Sequence, residues 1–215
     1  QSMISNAKNE LLGPQDYLNA ASNQFEQVVA DVYAVYQQRL IRANAMDFDD
    51  LILKTVEVLQ RYPEAKARFR SRFRHVLVDE YQDTNHAQYI LVRELVGTDR
   101  EGIPAAELCV VGDDDQAIYQ WRGSTVESIV NFTTQYPNAK TFRLETNRRS
   151  LPVIVDSAAK FAESIPNRLK KTMNADRVPP PDFTQPQIVA WDALMEVDEA
   201  KIIAGMVVDL VKKGV

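Results

Sequence analysis

The chain is poor in the residues that disulfide-stapled and zinc-bound folds depend on. It has one cysteine, Cys109, and two histidines, His75 and His86, in 215 residues. A single cysteine forms no internal disulfide, which fits a reducing compartment. Cys109 sits in the apolar run Leu108-Cys109-Val110-Val111 and reads as a small buried hydrophobe, not a reactive thiol. The histidines have no metal-ligand spacing with each other or with Cys109, so no zinc site is expected. No apolar run approaches the length that spans a bilayer. No basic patch followed by an apolar stretch marks a signal peptide at the N-terminus. The expectation is a cytoplasmic protein without a membrane partner. Glycine is scarce at seven residues, and none is followed by lysine. The phosphate-cradling pattern Gly-x-x-x-x-Gly-Lys-Ser/Thr is therefore absent. Bulk positive charge is missing too, with a net charge of −5. That argues against a histone-like binder but leaves nucleic acid open, because local distribution decides.

What is present is ordinary for a globular chain: 45% hydrophobic and 26% charged residues. The length allows one or two domains with a sizeable core. Two basic clusters stand out, Arg61, Lys66, Arg68, Arg70, Arg72 and Arg74, then Arg168, Lys170 and Lys171. Each alone reads as a solvated helix face. Near the start, Val28, Val29, Val32, Val35, Tyr36 and Leu40 form one helical stripe. A second helix begins at Asp47-Phe48-Asp49-Asp50 and runs toward Pro63. The pattern then changes. His75-Val76-Leu77-Val78 and Leu108-Cys109-Val110-Val111 read as strands buried on both faces of a parallel sheet. A helix carrying Ala87, Ile90, Leu91 and Leu95 lies between them. Ser124 and Glu127 form a capping box for the next helix. Thr141-Phe142-Arg143-Leu144 and Gln187-Ile188-Val189-Ala190-Trp191 are expected to be further strands. Ser150 is expected to cap the helix between those two. The last helix is expected to bury Val197, Ala200, Ala204, Val207, Val208 and Val211. Strand–helix alternation implies right-handed crossovers and an α/β fold. The predicted organisation is a helical subdomain over residues 1–45, an α/β part over 46–137 and the start of a second α/β domain over 138–215.

In open parallel sheets, ligands bind at the carboxyl ends of the strands. Val76-Leu77-Val78 ends there in Asp79-Glu80. Two adjacent carboxylates repel one another, and a divalent cation relieves that. Mg²⁺ takes carboxylates together with phosphate oxygens and water, and Glu80 could deprotonate an attacking water. A strand that merely ends in acids at the solvent boundary is an equally open reading. The second strand is followed by Gly112-Asp113-Asp114-Asp115-Gln116-Ala117-Ile118-Tyr119-Gln120-Trp121-Arg122-Gly123. Gln116 can hydrogen-bond a γ-phosphate or a metal-bound water. Tyr119 and Trp121 offer flat faces on which bases stack, worth about 1–3 kcal/mol per base. Arg122 can pair with an acid or a phosphate. Polar neighbours make Tyr119 and Trp121 poor candidates for core aromatics.

These stretches resemble a known family. Asp79-Glu80-Tyr81-Gln82-Asp83-Thr84-Asn85 looks like motif II, the Walker B element, of the UvrD/Rep family of superfamily 1 DNA helicases. The stretch from Gly112 to Gly123 resembles motif III, and Phe142-Arg143-Leu144-Glu145-Thr146-Asn147-Arg148-Arg149-Ser150 resembles motif IV. Met46-Asp47-Phe48-Asp49-Asp50-Leu51 is similar to the element that precedes motif II. The motifs occur in the family's order. Asn147-Arg148-Arg149-Ser150 stands where the family usually has Asn-Tyr-Arg-Ser.

The resemblance implies part of a RecA-like P-loop NTPase fold with ATP and Mg²⁺ as cofactors. Asp79 would hold the metal, Glu80 would be the base and Gln116 would couple the γ-phosphate to DNA. Tyr119, Trp121 and Arg122 would form the single-strand DNA site, and Arg149 would act as an arginine finger. Single-stranded and duplex DNA would be partners, with repair or recombination proteins besides, and movement would run 3′ to 5′. The missing phosphate loop is expected before residue 1 and the late motifs after residue 215, which leaves this piece inactive alone. The alternative is a helicase-like scaffold or DNA-binding subunit whose ATP site has decayed. Retention of Asp79, Glu80, Gln116 and Arg149 argues against it.

Overall fold

A computed structural model describes residues 2–97, 105–119, 123–124, 126–166, 168–179 and 188–214. Contacts divide the chain into two units, Gln1–Thr141 with Asn167–Leu169, and Phe142–Pro166 with Lys170–Val215.

The first unit begins with five helices: α1 (Ser2–Asn9), α2 (Pro14–Ala20), α3 (Gln24–Arg42), α4 (Phe48–Arg61) and α5 (Pro63–Arg72). Local chemistry explains their limits. Asn23 caps α3 by accepting the Glu26 N–H. Asp47 and Asp50 form a reciprocal capping box on α4. Pro63 then starts α5 with its ring at the first turn, where the lost N–H costs nothing. α4 buries Leu53, Val56 and Leu59, each nearly inaccessible. Burial of each such side chain contributes about 2 kcal/mol. α4 packs against α5 and against the later helix His86–Val96, and α1 lies against α4 and that same helix.

The α/β part follows as β1 (His75–Val78), a 3-10 turn (Tyr81–Asp83), α6 (His86–Val96) and β2 (Glu107–Val110). A second 3-10 turn (Asp114–Gln116) leads toward α7 (Glu127–Val130) and α8 (Phe132–Gln135). Asn85 and Gln88 form the capping box of α6. β1 and β2 are parallel, His75 opposite Glu107 and Val78 opposite Val110. Gly97 ends α6 at φ +75°, and a Cβ there would lie 2.8 Å from the buried Arg70 guanidinium. Arg70 itself donates from Nε to the Glu94 carbonyl at 2.7 Å, so this member of the first basic cluster is structural and not solvated.

The second unit holds β3 (Thr146–Asn147), α9 (Pro152–Ala162), β4 (Asn174–Ala175) and α10 (Glu196–Lys212). β3 and β4 are parallel over two residue pairs, Thr146 with Asn174 and Asn147 with Ala175.

Several expectations are corrected here. β1 and β2 alternate between exposed and half-buried residues; Leu77 is 70% exposed and Cys109 is exposed. Neither strand is buried on both faces: among the described residues the sheet has two strands, and no packed layer covers the face that carries Leu77 and Cys109. On α3 the buried positions are Ala30 and Tyr33, while Val28, Val32 and Val35 are exposed. Ser124 does not cap a helix; it bridges Asn85 through its backbone, and Val126 precedes α7. Residues 141–144 form no strand, and pairing starts at Thr146. Leu151, not Ser150, precedes α9. Residues 188–191 form no strand, and Gln187 lies outside the described residues. α10 is a helix as expected, but its apolar residues are exposed. Among the described residues, no helix is long and apolar enough to cross a membrane.

Candidate functional site

The site grows from the carboxyl ends of β1 and β2, which the parallel register places side by side. After Val78 the chain turns abruptly. Glu80 takes a left-handed conformation, φ 49° and ψ 44°, which residues with a Cβ adopt rarely. The Glu80 N–H donates to Asp79 Oδ1 at 2.9 Å. Both carboxylates remain exposed. The chain then winds into the 3-10 turn, where Tyr81 and Gln82 are buried. The Tyr81 N–H donates to the Val111 carbonyl at 2.9 Å, which ties the turn to the end of β2. Tyr81 meets Phe132 edge to face at 5.7 Å, and burial pushes its hydroxyl up to about 12.

Gln82 joins the two strand ends. Its amide Nε2 donates to Glu80 Oε2 at 2.8 Å. Its Oε1 accepts the Asp113 N–H at 3.0 Å. The next loop continues the chain of bonds: Gln116 Nε2 donates to Asp113 Oδ2 at 2.8 Å. Gly112 makes this approach possible, because a Cβ there would lie 2.6 Å from Gln82 Oε1. Asp79, Glu80 and Gln116 are thus brought into one hydrogen-bonded arrangement, through a residue to which the sequence reading assigned no role.

Asp114 and Asp115 have structural work. Asp115 binds Arg168 in a fork, Nε to Oδ1 at 2.8 Å and Nη2 to Oδ2 at 2.6 Å. Asp114 Oδ2 accepts the Leu169 N–H at 2.6 Å. Arg168 therefore does not belong to a freely solvated basic face. Tyr119 is 38% exposed at the end of this loop. Trp121 and Arg122 lie outside the described residues.

Arg149 belongs to the second unit. Asn147 Oδ1 accepts the N–H groups of Arg149 and Ser150 at 3.0 and 2.9 Å. The Arg149 carbonyl accepts from Arg177 Nη1 at 2.8 Å. Arg149 and Arg148 are both exposed, and Arg148 Nε lies 3.6 Å from Asp176 Oδ2.

Asp83 is the third acid of motif II. An open hollow of about 460 Å³ is bordered by Val78, Asp79, Glu80, Asp83, Thr84 and Gln88. Asp83 Oδ1 is buried there without a hydrogen-bond partner among the described residues. Burial first, and then the charge of Glu80, raise its carboxyl above the usual range. No three His, Cys, Asp or Glu side chains among the described residues form a self-sufficient metal cage. The donors at the strand tip are all carboxylate oxygens, and one is orphaned. That set fits Mg²⁺ completed by phosphate oxygens and water better than it fits a soft metal held by protein alone.

The geometry defines a class: a strand-tip acid pair bonded through a buried amide to a Gln-bearing loop, in a mixed helix and strand fold. Residues 1–137 match the family described as UvrD/REP helicase N-terminal domain, and the chain belongs to that family. Among particular relatives, it is 49% identical over 205 residues to the ATP-dependent DNA helicase UvrD1 of Mycobacterium tuberculosis, covering 94% of this chain and 26% of that protein. It is 44% identical over 205 residues to the ATP-dependent DNA helicase PcrA of Leuconostoc citreum, covering 94% and 25%. The PcrA of Bacillus subtilis is 43% identical over 170 residues, covering 79% and 22%. The chain thus spans about a quarter of the length of these curated relatives.

Proposed function

We propose that this chain is part of an ATP-dependent DNA helicase that couples ATP hydrolysis to 3′ to 5′ movement on single-stranded DNA and to duplex unwinding. The observation that carries the reading is the continuous bonding from Glu80 through Gln82 and Asp113 to Gln116. It joins an acid suited to activate water with a loop suited to sense a ligand. The relatives' names, each an ATP-dependent DNA helicase, support the same assignment.

In this reading residues 1–45 are a helical subdomain, 46–137 part of a first RecA-like domain and 138–215 the start of a second. Asp79 would hold Mg²⁺, which when bound offsets the charge of the ATP phosphates. Glu80 would accept the proton of the attacking water. Gln116 would orient that water or the γ-phosphate. Arg149 would supply positive charge to the departing phosphoryl group, as arginine fingers do. Both guanidinium groups are exposed, and Arg149 takes this role from its register in the motif. Tyr119 and Trp121 would stack on bases, with Arg122 supporting the strand backbone. Repair or recombination proteins are the partners expected of such a motor.

The test is Glu80→Gln in the full-length protein. It keeps the side-chain volume and removes the base. ATP binding should stay within about threefold of wild type while turnover falls by about 10²–10⁴-fold. Turnover near wild type would move the base elsewhere.

A further inference from the structure

We propose that Gln82 is the positioning residue of this site: it fixes the direction of the Glu80 carboxylate and transmits the state of the 112–119 loop to it. The inference rests on the reading of Glu80 as the base and goes beyond it by naming what aims that base.

The geometry allows Gln82 little choice. Its side chain is 1% exposed, so its amide must find partners inside the fold. The amide has one donor end and one acceptor end, and here they are divided. Nε2 holds Glu80 Oε2 at 2.8 Å, and Oε1 holds the Asp113 N–H at 3.0 Å. Flipping the amide would set an oxygen against a carboxylate and an NH₂ against an N–H, so the network itself fixes the orientation. Glu80 is otherwise exposed and sits in a left-handed conformation. An exposed glutamate has many rotamers, and this bond removes most of them. On the far side, Asp113 accepts from Gln116 at 2.8 Å and caps the short turn by accepting the Asp115 N–H at 3.1 Å. Tyr119 lies three residues further along the same loop. A ligand that displaces this loop therefore displaces the Asp113 N–H, then the Gln82 amide, then the carboxylate. Gly112 is the steric condition for that path, since a side chain there would push Gln82 Oε1 away.

Two substitutions separate the ends of the amide. Gln82→Glu keeps an acceptor for Asp113 but replaces the donor to Glu80 with a repelling oxygen. Gln82→Met fills a similar volume and removes both ends. Both are made in the full-length protein, with ATP turnover measured with and without a poly-dT oligonucleotide, and ATP affinity measured separately. Both should lower DNA-stimulated turnover by about tenfold to a hundredfold, the scale of a misaimed catalytic group. ATP affinity should change little in both variants, whereas the thermal midpoint of Gln82→Glu should fall because it buries a second carboxylate beside that of Glu80, so turnover is compared well below both midpoints. The ratio of DNA-stimulated to basal turnover should also fall, which a purely structural glutamine would not produce. In the double variant Glu80→Gln/Gln82→Met, turnover should be no lower than in Glu80→Gln alone, because Gln82 acts through Glu80. Wild-type turnover and stimulation in Gln82→Glu, or losses that add in the double variant, would overturn the proposal. If Glu80→Gln itself turns over normally, the assignment of the base fails instead, so the two failures are distinguishable.

Discussion

Lys8 shows what a single buried charge costs and contributes. Its side chain is fully buried, 2.7 Å from Asp47 Oδ2 and 2.9 Å from Asp50 Oδ1. The ammonium also lies 5.8 and 5.2 Å from the ring centroids of Tyr33 and Tyr36. Asp50, 1% exposed, accepts in addition from Gln37. Desolvation alone would raise Asp47, but hydrogen bonds from Lys8, the Asp50 backbone and Tyr36 outweigh it and hold the carboxyl below its usual value. Lys8→Met would leave Asp50 as a buried charge without its counterion. The expected loss is about 3 kcal/mol, the scale for removing one member of a buried pair. Urea unfolding of the 215-residue chain followed by circular dichroism checks it. A loss under about 1 kcal/mol would mean that water reaches Asp50 once Lys8 is gone. The sequence showed the Asp-Phe-Asp-Asp element but not this role. Lys8 and Asp47 are 39 residues apart, and no spacing rule reaches that far. Gln82 was overlooked for a related reason. Its importance comes from Asp113, 31 residues away, and from what Gly112 lacks.

The elements that could be read from the sequence are those whose signal is local. α3, α4 and α6 have periodic apolar positions with an Asn or Asp cap. β1 and β2 are short β-branched runs beside turn residues, and they pair in parallel as the intervening helix requires. No strand forms at 141–144 or at the described residues 188–191, because an apolar run becomes a strand only where a partner edge is available. In the second unit the described pairing is confined to Thr146–Asn147 and Asn174–Ala175. Nor could the sequence reveal how α4, α5 and α6 are tied together. Glu94 on α6 receives Lys66 of α5 at 2.8 Å and Gln60 of α4 at 3.2 Å. Desolvation acts to raise its carboxyl, but the bonds from Lys66 and Gln60 and the charges of Lys66 and Arg70 prevail and lower it. A depressed folded value means stability that is fully present above the unfolded value, about 4.3, and lost as pH falls through the folded one. Glu94→Ala should therefore cost on the order of 2 kcal/mol at pH 7. The difference from wild type should begin to shrink once pH falls below the unfolded value, where the unfolded chain takes up the proton first. Denaturant midpoints at pH 7 and pH 3.5 measure both. A difference that stays constant with pH would show that packing, not charge, sets the contribution of Glu94.

At the scale of the whole molecule, family membership was the most legible property, because it is carried by contiguous motifs in a fixed order. The chemistry those motifs serve is divided in a way the same text reveals. The strand tips supply acids and a hydrogen-bonded relay, which in the proposed reading would act on a metal, on water and on a loop. They supply almost nothing that attracts phosphate: Asp79, Glu80, Asp83 and Asp113 are all acceptors. Binding a nucleoside triphosphate needs convergent N–H groups and a lysine, which a phosphate loop provides. None of the seven glycines here is followed by lysine. An acidic strand tip without that cradle repels a polyphosphate anion. The isolated 215-residue chain should therefore neither bind ATP at micromolar concentration nor hydrolyse it, with or without Mg²⁺. Phosphate release and equilibrium dialysis on the purified chain test this directly. Catalysis at helicase-like rates would mean that some other set of donors in these residues holds the phosphates. The division of labour between cradle and strand tip would then have to be redrawn.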